Sequence, residues 1–131
     1  MKNSKILNPE LIREIAAIGH TEYFVIGDAG LPIPKGMKTV DLSLVAGVPR
    51  FDAVLEAVAG ELVIESYILA DEMKEANPQM LGRTREILKG LPERFVSHEE
   101  LKALGEDAKV YVRTGETSSY ANVILIAGVN F

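Results

Sequence analysis

The feature that most constrains this chain is the run Tyr23-Phe24-Val25-Ile26, bracketed by Gly19-His20 before it and Gly27-Asp28 after it. Four apolar residues without alternation predict a strand covered on both faces, and such strands occur in sheets sandwiched by helices. A second apolar run, Asn122 to Ala127, predicts another long strand near the end of the chain. The segments between them alternate in character. Asn8-Pro9-Glu10 is a helix start, with a capping amide, a proline suited to the first turn and an acid at the positive helix end. Leu11, Ile15 and Ile18 then share one face, and Gly19 is the expected stop.

Further along, Thr39 to Leu44 alternates with period two and predicts a strand, and Gly47-Val48-Pro49 is a break. Phe51 to Leu62 predicts a helix with Val54, Leu55 and Val58 inward, and Ser66 to Ala70 a buried strand. Asn77-Pro78 repeats the capping signal and opens a helix to about Leu88, with Gly90 as its stop. Arg94 to Val96 and Lys109 to Arg113 read as strands. Between them, Ser97-His98-Glu99-Glu100 is a capping box that opens a helix to about Leu104. Strands alternating with helices predict a single α/β domain over residues 1–131, its sheet largely parallel and flanked by helices.

Composition narrows the function. A formal net charge of −5, without a Lys/Arg cluster, argues against nucleic acid as a partner. The chain has no cysteine and only two histidines, which removes thiolate chemistry and argues against a His-rich metal site. No apolar run reaches the roughly 18–20 residues of a membrane helix. The N-terminus lacks the apolar stretch of a secretory signal, so a cytoplasmic protein is expected. There is no phosphate-binding glycine loop and no dinucleotide fingerprint. An enzyme built from these residues is expected to transfer protons without a cofactor.

The candidates for that chemistry are few. His20 stands at the entrance of the first strand, either as a cation at a helix C-terminus or as a general acid or base. Asp28 stands at its exit, the carboxyl edge where open α/β sheets bind ligands, though D-x-G is also a common Asx-turn. His98 falls in the first turn of a helix, with Lys102 one turn on along the same face. Tyr120-Ala121-Asn122 leads into the last strand and offers a phenol and an amide to ligand hydroxyls. Thr114-Gly115-Glu116 suits a loop support or a ligand contact equally. The acidic pairs Asp71-Glu72 and Glu99-Glu100 read as solvated.

Taken in order, K-I-L-N-P-E-L, G-H-T-E, I-G-D-A-G-L-P-I-P, D-L-S-L, S-H-E-E-L-K, V-R-T-G-E and Y-A-N-V-I-L-I-A-G-V-N-F resemble the ribose pyranases, which belong with the fucose mutarotases. The pieces run from Ile6 to Phe131, and D-A-G-L-P is closer to the ribose branch. Gly27 departs from the pattern, which has alanine there. The middle of the chain, from about Arg50 to Pro92, matches mainly in pattern.

The resemblance implies a D-ribose mutarotase that interconverts β-pyranose and β-furanose by acid–base ring opening and supports ribose uptake and phosphorylation. His20 would be the catalytic acid, and Asp28, His98, Tyr120, Ala121 and Asn122 the sugar-binding residues, with no metal. It also implies a homo-oligomer, a decamer of two stacked pentamers. Sites would lie between subunits, with the Tyr120-Ala121-Asn122 segment arriving from a neighbour. Activity on fucose or another monosaccharide, and a non-catalytic sugar-binding accessory of a ribose uptake system, are the alternatives.

Overall fold

In the computed structural model, which describes Met1 to Phe131, strand β1 (Tyr23–Gly27) lies inside a six-stranded sheet of order β2-β5-β1-β6-β3-β4. β1 pairs in parallel with β5 (Val110–Arg113) and antiparallel with β6 (Val123–Ala127). β2 (Thr39–Asp41) continues the sheet in parallel beyond β5. β6 pairs antiparallel with β3 (Ile64–Ala70), which pairs in parallel with β4 (Glu93–Val96). Five strands therefore point one way and β6 alone runs back. The expected α/β domain is present, and its sheet is mixed. One consequence governs everything that follows. The C-terminal ends of β1, β3, β4 and β5 and the start of β6 share one edge, while the start of β1 and the end of β6 share the other.

Each face of β1 is covered, as its lack of alternation demands. Phe24 and Ile26 enter the larger core together with Leu11 and Ile15 of α1 (Pro9–Ala17), Val54, Leu55 and Val58 of α2 (Phe51–Ala59), and Met80 and Leu81 of α4 (Pro78–Ile87). Val25 enters a smaller core on the opposite face with Ile68, Tyr111, Ile124, Leu31 and Leu101, the last from α5 (His98–Gly105). Truncating a fully buried leucine such as Leu125 to alanine costs about 2–5 kcal/mol in sites of this kind. No helix is long and apolar enough to cross a membrane.

Several local expectations change. Asn8 caps α1 by accepting from the Leu11 N–H at 2.9 Å. The helix nevertheless ends before Gly19: Ile18 is already extended, and the Gly19 N–H donates to the Glu22 carboxylate. β2 stops at Asp41 because the Asp41 side chain takes both the N–H and the hydroxyl of Ser43. A short helix α3 (Met73–Ala76), not foreseen from the sequence, follows β3. The Asn77 side chain does not cap α4. It reaches instead to Ser118 and Ser119. The Ser97 hydroxyl accepts from Glu100 N–H as a capping box requires, but the Glu100 carboxylate lies towards Arg94.

Candidate active site

At the carboxyl edge, the chain turns sharply out of β1. The Asp28 N–H donates to Asn122 Oδ1 at 2.8 Å, and Asp28 Oδ1 accepts from Gly30 N–H at 2.9 Å. Asp28 forms the Asx-turn, one carboxylate oxygen shaping the loop, and the half-buried residue stands at the carboxyl edge of the sheet. Asn122 is fully buried, and its Nδ2 has no hydrogen-bond partner. A buried amide donor without a partner costs roughly 1–3 kcal/mol.

His98 approaches from the end of β4. Its backbone N–H donates to both oxygens of Glu72, at 3.0 and 3.1 Å, which ties the start of α5 to the segment after β3. Asp71-Glu72 is thus not merely a solvated pair. The His98 ring meets Tyr120 edge-on with centroids 5.1 Å apart, and its Nδ1 is buried without a partner. Tyr120 has φ of +56°, a left-handed conformation unusual outside glycine. Asp28, Gly30, Leu31, Pro32, His98, Ser119 and Tyr120 line one depression of about 290 Å³. That is just below the usual range for small-molecule pockets. Ala121, fully buried, packs into the larger core.

Thr114-Gly115-Glu116 supports the loops around this pocket. Thr114 donates to the Gly27 carbonyl through both its N–H (3.0 Å) and its hydroxyl (2.8 Å). Ala29 N–H donates to the Glu116 carbonyl at 2.9 Å, and the Glu116 carboxylate accepts from Phe51 N–H at the start of α2. A Cβ on Gly115 would lie 2.3 Å from the Val48 carbonyl oxygen, so only glycine lets the 45–49 loop close here. Gly27 is less constrained: a Cβ there would stand 2.6 Å from Leu31 Cδ2, the tip of a side chain that can move, and 3.2 Å from Asn122 Oδ1.

The structure thus gathers Asp28, His98, Tyr120, Ala121 and Asn122 within one chain. The Tyr120–Asn122 segment was expected from a neighbour, yet it lies beside the Asp28 and His98 of its own chain. His20 is the residue that stands apart. It sits before β1, and the strand alone separates the two edges by about 13 Å. There His20 Nε2 pairs with Glu65 Oε1 at 3.0 Å, about half exposed, beside a groove lined by Ile15, Ile18, Val63, Val129 and Phe131. The carboxylate beside His20 is therefore that of Glu65. Lys102 pairs with Glu99 at 2.7 Å on the outer side of α5. Glu72 and Asn77 were given other roles because their partners lie 26 or more residues away, whereas Glu116 takes the loop-support role its segment suggested.

An α/β domain with a small polar pocket at its carboxyl edge is the class that fold and site define. Residues 1–130 match the RbsD / FucU transport protein family, and the chain belongs to it. It is 50% identical to the D-ribose pyranase of Geobacillus kaustophilus over 131 residues, covering all of this chain and 96% of that protein. It is 45% identical to that of Streptococcus uberis, covering 98% of each. The structure of Bacillus subtilis RbsD complexed with D-ribose superposes with a TM-score of 0.96 at 43% identity, with both chains fully covered. The fucose mutarotase of Streptococcus pneumoniae in complex with L-fucose shares the fold, with a TM-score of 0.85 at 24% identity and full coverage of both.

Proposed function

We propose that this protein acts as a D-ribose pyranase, an isomerase that interconverts the pyranose and furanose rings of D-ribose. The observation that carries the reading is the full-length match to D-ribose pyranases and to a ribose-bound structure, in a chain whose own polar groups converge on a small pocket. The reaction breaks and remakes one hemiacetal. The ring oxygen gains a proton while the anomeric hydroxyl loses one, giving the open aldehyde. The hydroxyl that re-attacks sets the ring size. A positioned acid and base contributing about 10²–10⁴-fold suffices for such a step.

In this assignment Asp28, His98, Tyr120 and Asn122 hold the sugar hydroxyls. The buried Asn122 Nδ2 discriminates strongly, because a ligand without a matching oxygen leaves it unpaired. His20 is the acid that protonates the ring oxygen, held by Glu65. It lies at the opposite sheet edge from the pocket, so it serves the pocket of a second copy of the chain. Exposed apolar residues support such a head-to-tail contact: Val129 and Phe131 near His20, and Leu44, Val45 and Val48 on the loop held against Gly115. A contact between unlike surfaces closes into a ring, and two stacked five-membered rings satisfy the expected decamer. A cytoplasmic site of action, handing ribose to uptake and phosphorylation, fits this chemistry.

A second reading gives the acid role to His98, because His98 lines the pocket and its buried Nδ1 has no partner. Saturation-transfer NMR on equilibrated D-ribose separates the two. Accelerated pyranose–furanose exchange that falls about 10²–10⁴-fold in His20→Ala supports the His20 assignment. Exchange that survives His20→Ala and disappears in His98→Ala supports the second. No acceleration by the wild type with ribose, but some with fucose, overturns the substrate.

A further inference from the structure

Tyr120 holds a left-handed backbone conformation, and something other than its own preference must keep it there. Three polar residues outside the pocket do so. The Asn77 amide, 9% exposed, donates from Nδ2 to Ser118 Oγ and to the Ser119 carbonyl, both at 2.9 Å. Ser118 Oγ in turn donates to Glu116 Oε2 at 2.8 Å, and Ser118 N–H donates to the same oxygen at 3.2 Å. The other oxygen of the buried Glu116 accepts from Phe51 N–H at 3.0 Å. The chain of bonds therefore runs from the start of α4, through the 118–119 loop, to the start of α2. It fixes the two residues that precede Tyr120 from both sides. None of the three donors and acceptors lines the sugar pocket.

We propose that Asn77, Ser118 and Glu116 form a positioning set that holds the Tyr120 phenol against His98, and so sets the affinity of the pocket for its sugar without touching it. The proposal rests on the sugar-isomerase reading above. Its mechanism is pre-organisation. With the loop bonded, Tyr120 is already in its ligand-ready place; without the bonds, ordering the loop is deducted from binding. Proton transfer itself does not involve these groups, so KM rather than kcat should carry the effect.

The test measures ribose exchange by saturation transfer in the wild type, Ser118→Ala, Ser118→Thr, Asn77→Ala, Tyr120→Phe and the Ser118→Ala/Tyr120→Phe pair, with circular dichroism confirming folding. Ser118 is a half-exposed loop residue, so its alanine variant is the one to rely on if Asn77→Ala is unstable. Loss of one such bond should raise KM about three- to tenfold with kcat within about twofold, and threonine at 118 should restore it. In the Tyr120→Phe background the Ser118 change should lose most of its effect. An unchanged KM in Ser118→Ala, or an equal rise in both backgrounds, overturns the proposal. A wild type that does not accelerate exchange overturns the sugar reading instead, and the two failures are distinct.

Discussion

Replacing Gly27 by alanine probes the end of β1, where the backbone, Leu31 and Asn122 meet. The added Cβ would lie 2.6 Å from Leu31 Cδ2, 3.1 Å from Leu31 Cβ and 3.2 Å from Asn122 Oδ1. The first contact is far inside van der Waals range, but it falls on the tip of a side chain that can rotate. The other two are tight by a few tenths of an ångström and fall on less yielding atoms. Overpacking of this kind costs about 1–3 kcal/mol, and the freedom of the Leu31 tip places this case near 1 kcal/mol. The more informative loss is local. Asn122 Oδ1 holds the Asp28 N–H at 2.8 Å, and displacing it loosens the turn that carries Asp28 along the pocket wall. KM for ribose should rise about threefold to tenfold, the equivalent of weakening one hydrogen bond. Leu31→Val removes the clashing Cδ2. The double variant should therefore recover stability and KM relative to Gly27→Ala, with a coupling of at least about 0.5 kcal/mol. Thermal unfolding and saturation-transfer kinetics read both. If Gly27→Ala matches the wild type in both, or if the two substitutions are simply additive, the steric reasoning is refuted.

Two further outcomes follow from the supports around the pocket. Glu72→Ala should remove the acceptor for His98 N–H and destabilise the start of α5 by about 1 kcal/mol, a few degrees in Tm, with Glu72→Gln less affected. An unchanged melt would mean that Ser97 alone caps α5. Burial acts to raise the pKa of Glu116, but bonds from Phe51 N–H and from Ser118, with the nearby Arg50 charge, outweigh it and hold the carboxyl below its ordinary 4.5. The unfolded chain then takes the proton first. The stability this group supplies is full above that ordinary value and drains as pH falls through the folded one. Glu116→Gln should be less stable than the wild type at neutral pH and should lose less on acidification. Parallel pH–stability curves for the two proteins would contradict this.

Much of the fold was legible because local rules and the tertiary structure agree. The unbroken apolar run of β1 predicted two covered faces, and Phe24 and Val25 indeed enter different cores. Asn8 and Ser97 cap the helices that their positions announced. The direction of β6 was not legible, since an apolar run carries no polarity. Yet that reversal brings Asn122 beside Asp28. Asn77 and Glu72 were misjudged for the opposite reason. Short-range rules made one a helix cap and the other a solvated acid, whereas each serves a loop that only the folded chain brings near. The separation of His20 from Asp28 was implicit from the start: residues before and after one strand occupy opposite edges of its sheet. What sequence spacing did not reveal is that Asp28, His98 and Tyr120 of one chain line the same depression.

That separation makes the central claim directly testable by mixing subunits. In the proposed assignment, His20→Ala keeps an intact pocket and lacks the acid, while Asp28→Asn keeps the acid and lacks part of the pocket. Each protein alone should accelerate ribose exchange poorly. Co-expressed in equal amounts and assembled together, they should recover roughly a quarter of wild-type activity, the share of contacts at which an intact pocket meets an intact His20 of the neighbouring copy. Mixed assemblies that remain as inactive as the two parents would contradict the claim that one copy of the chain completes the site of another.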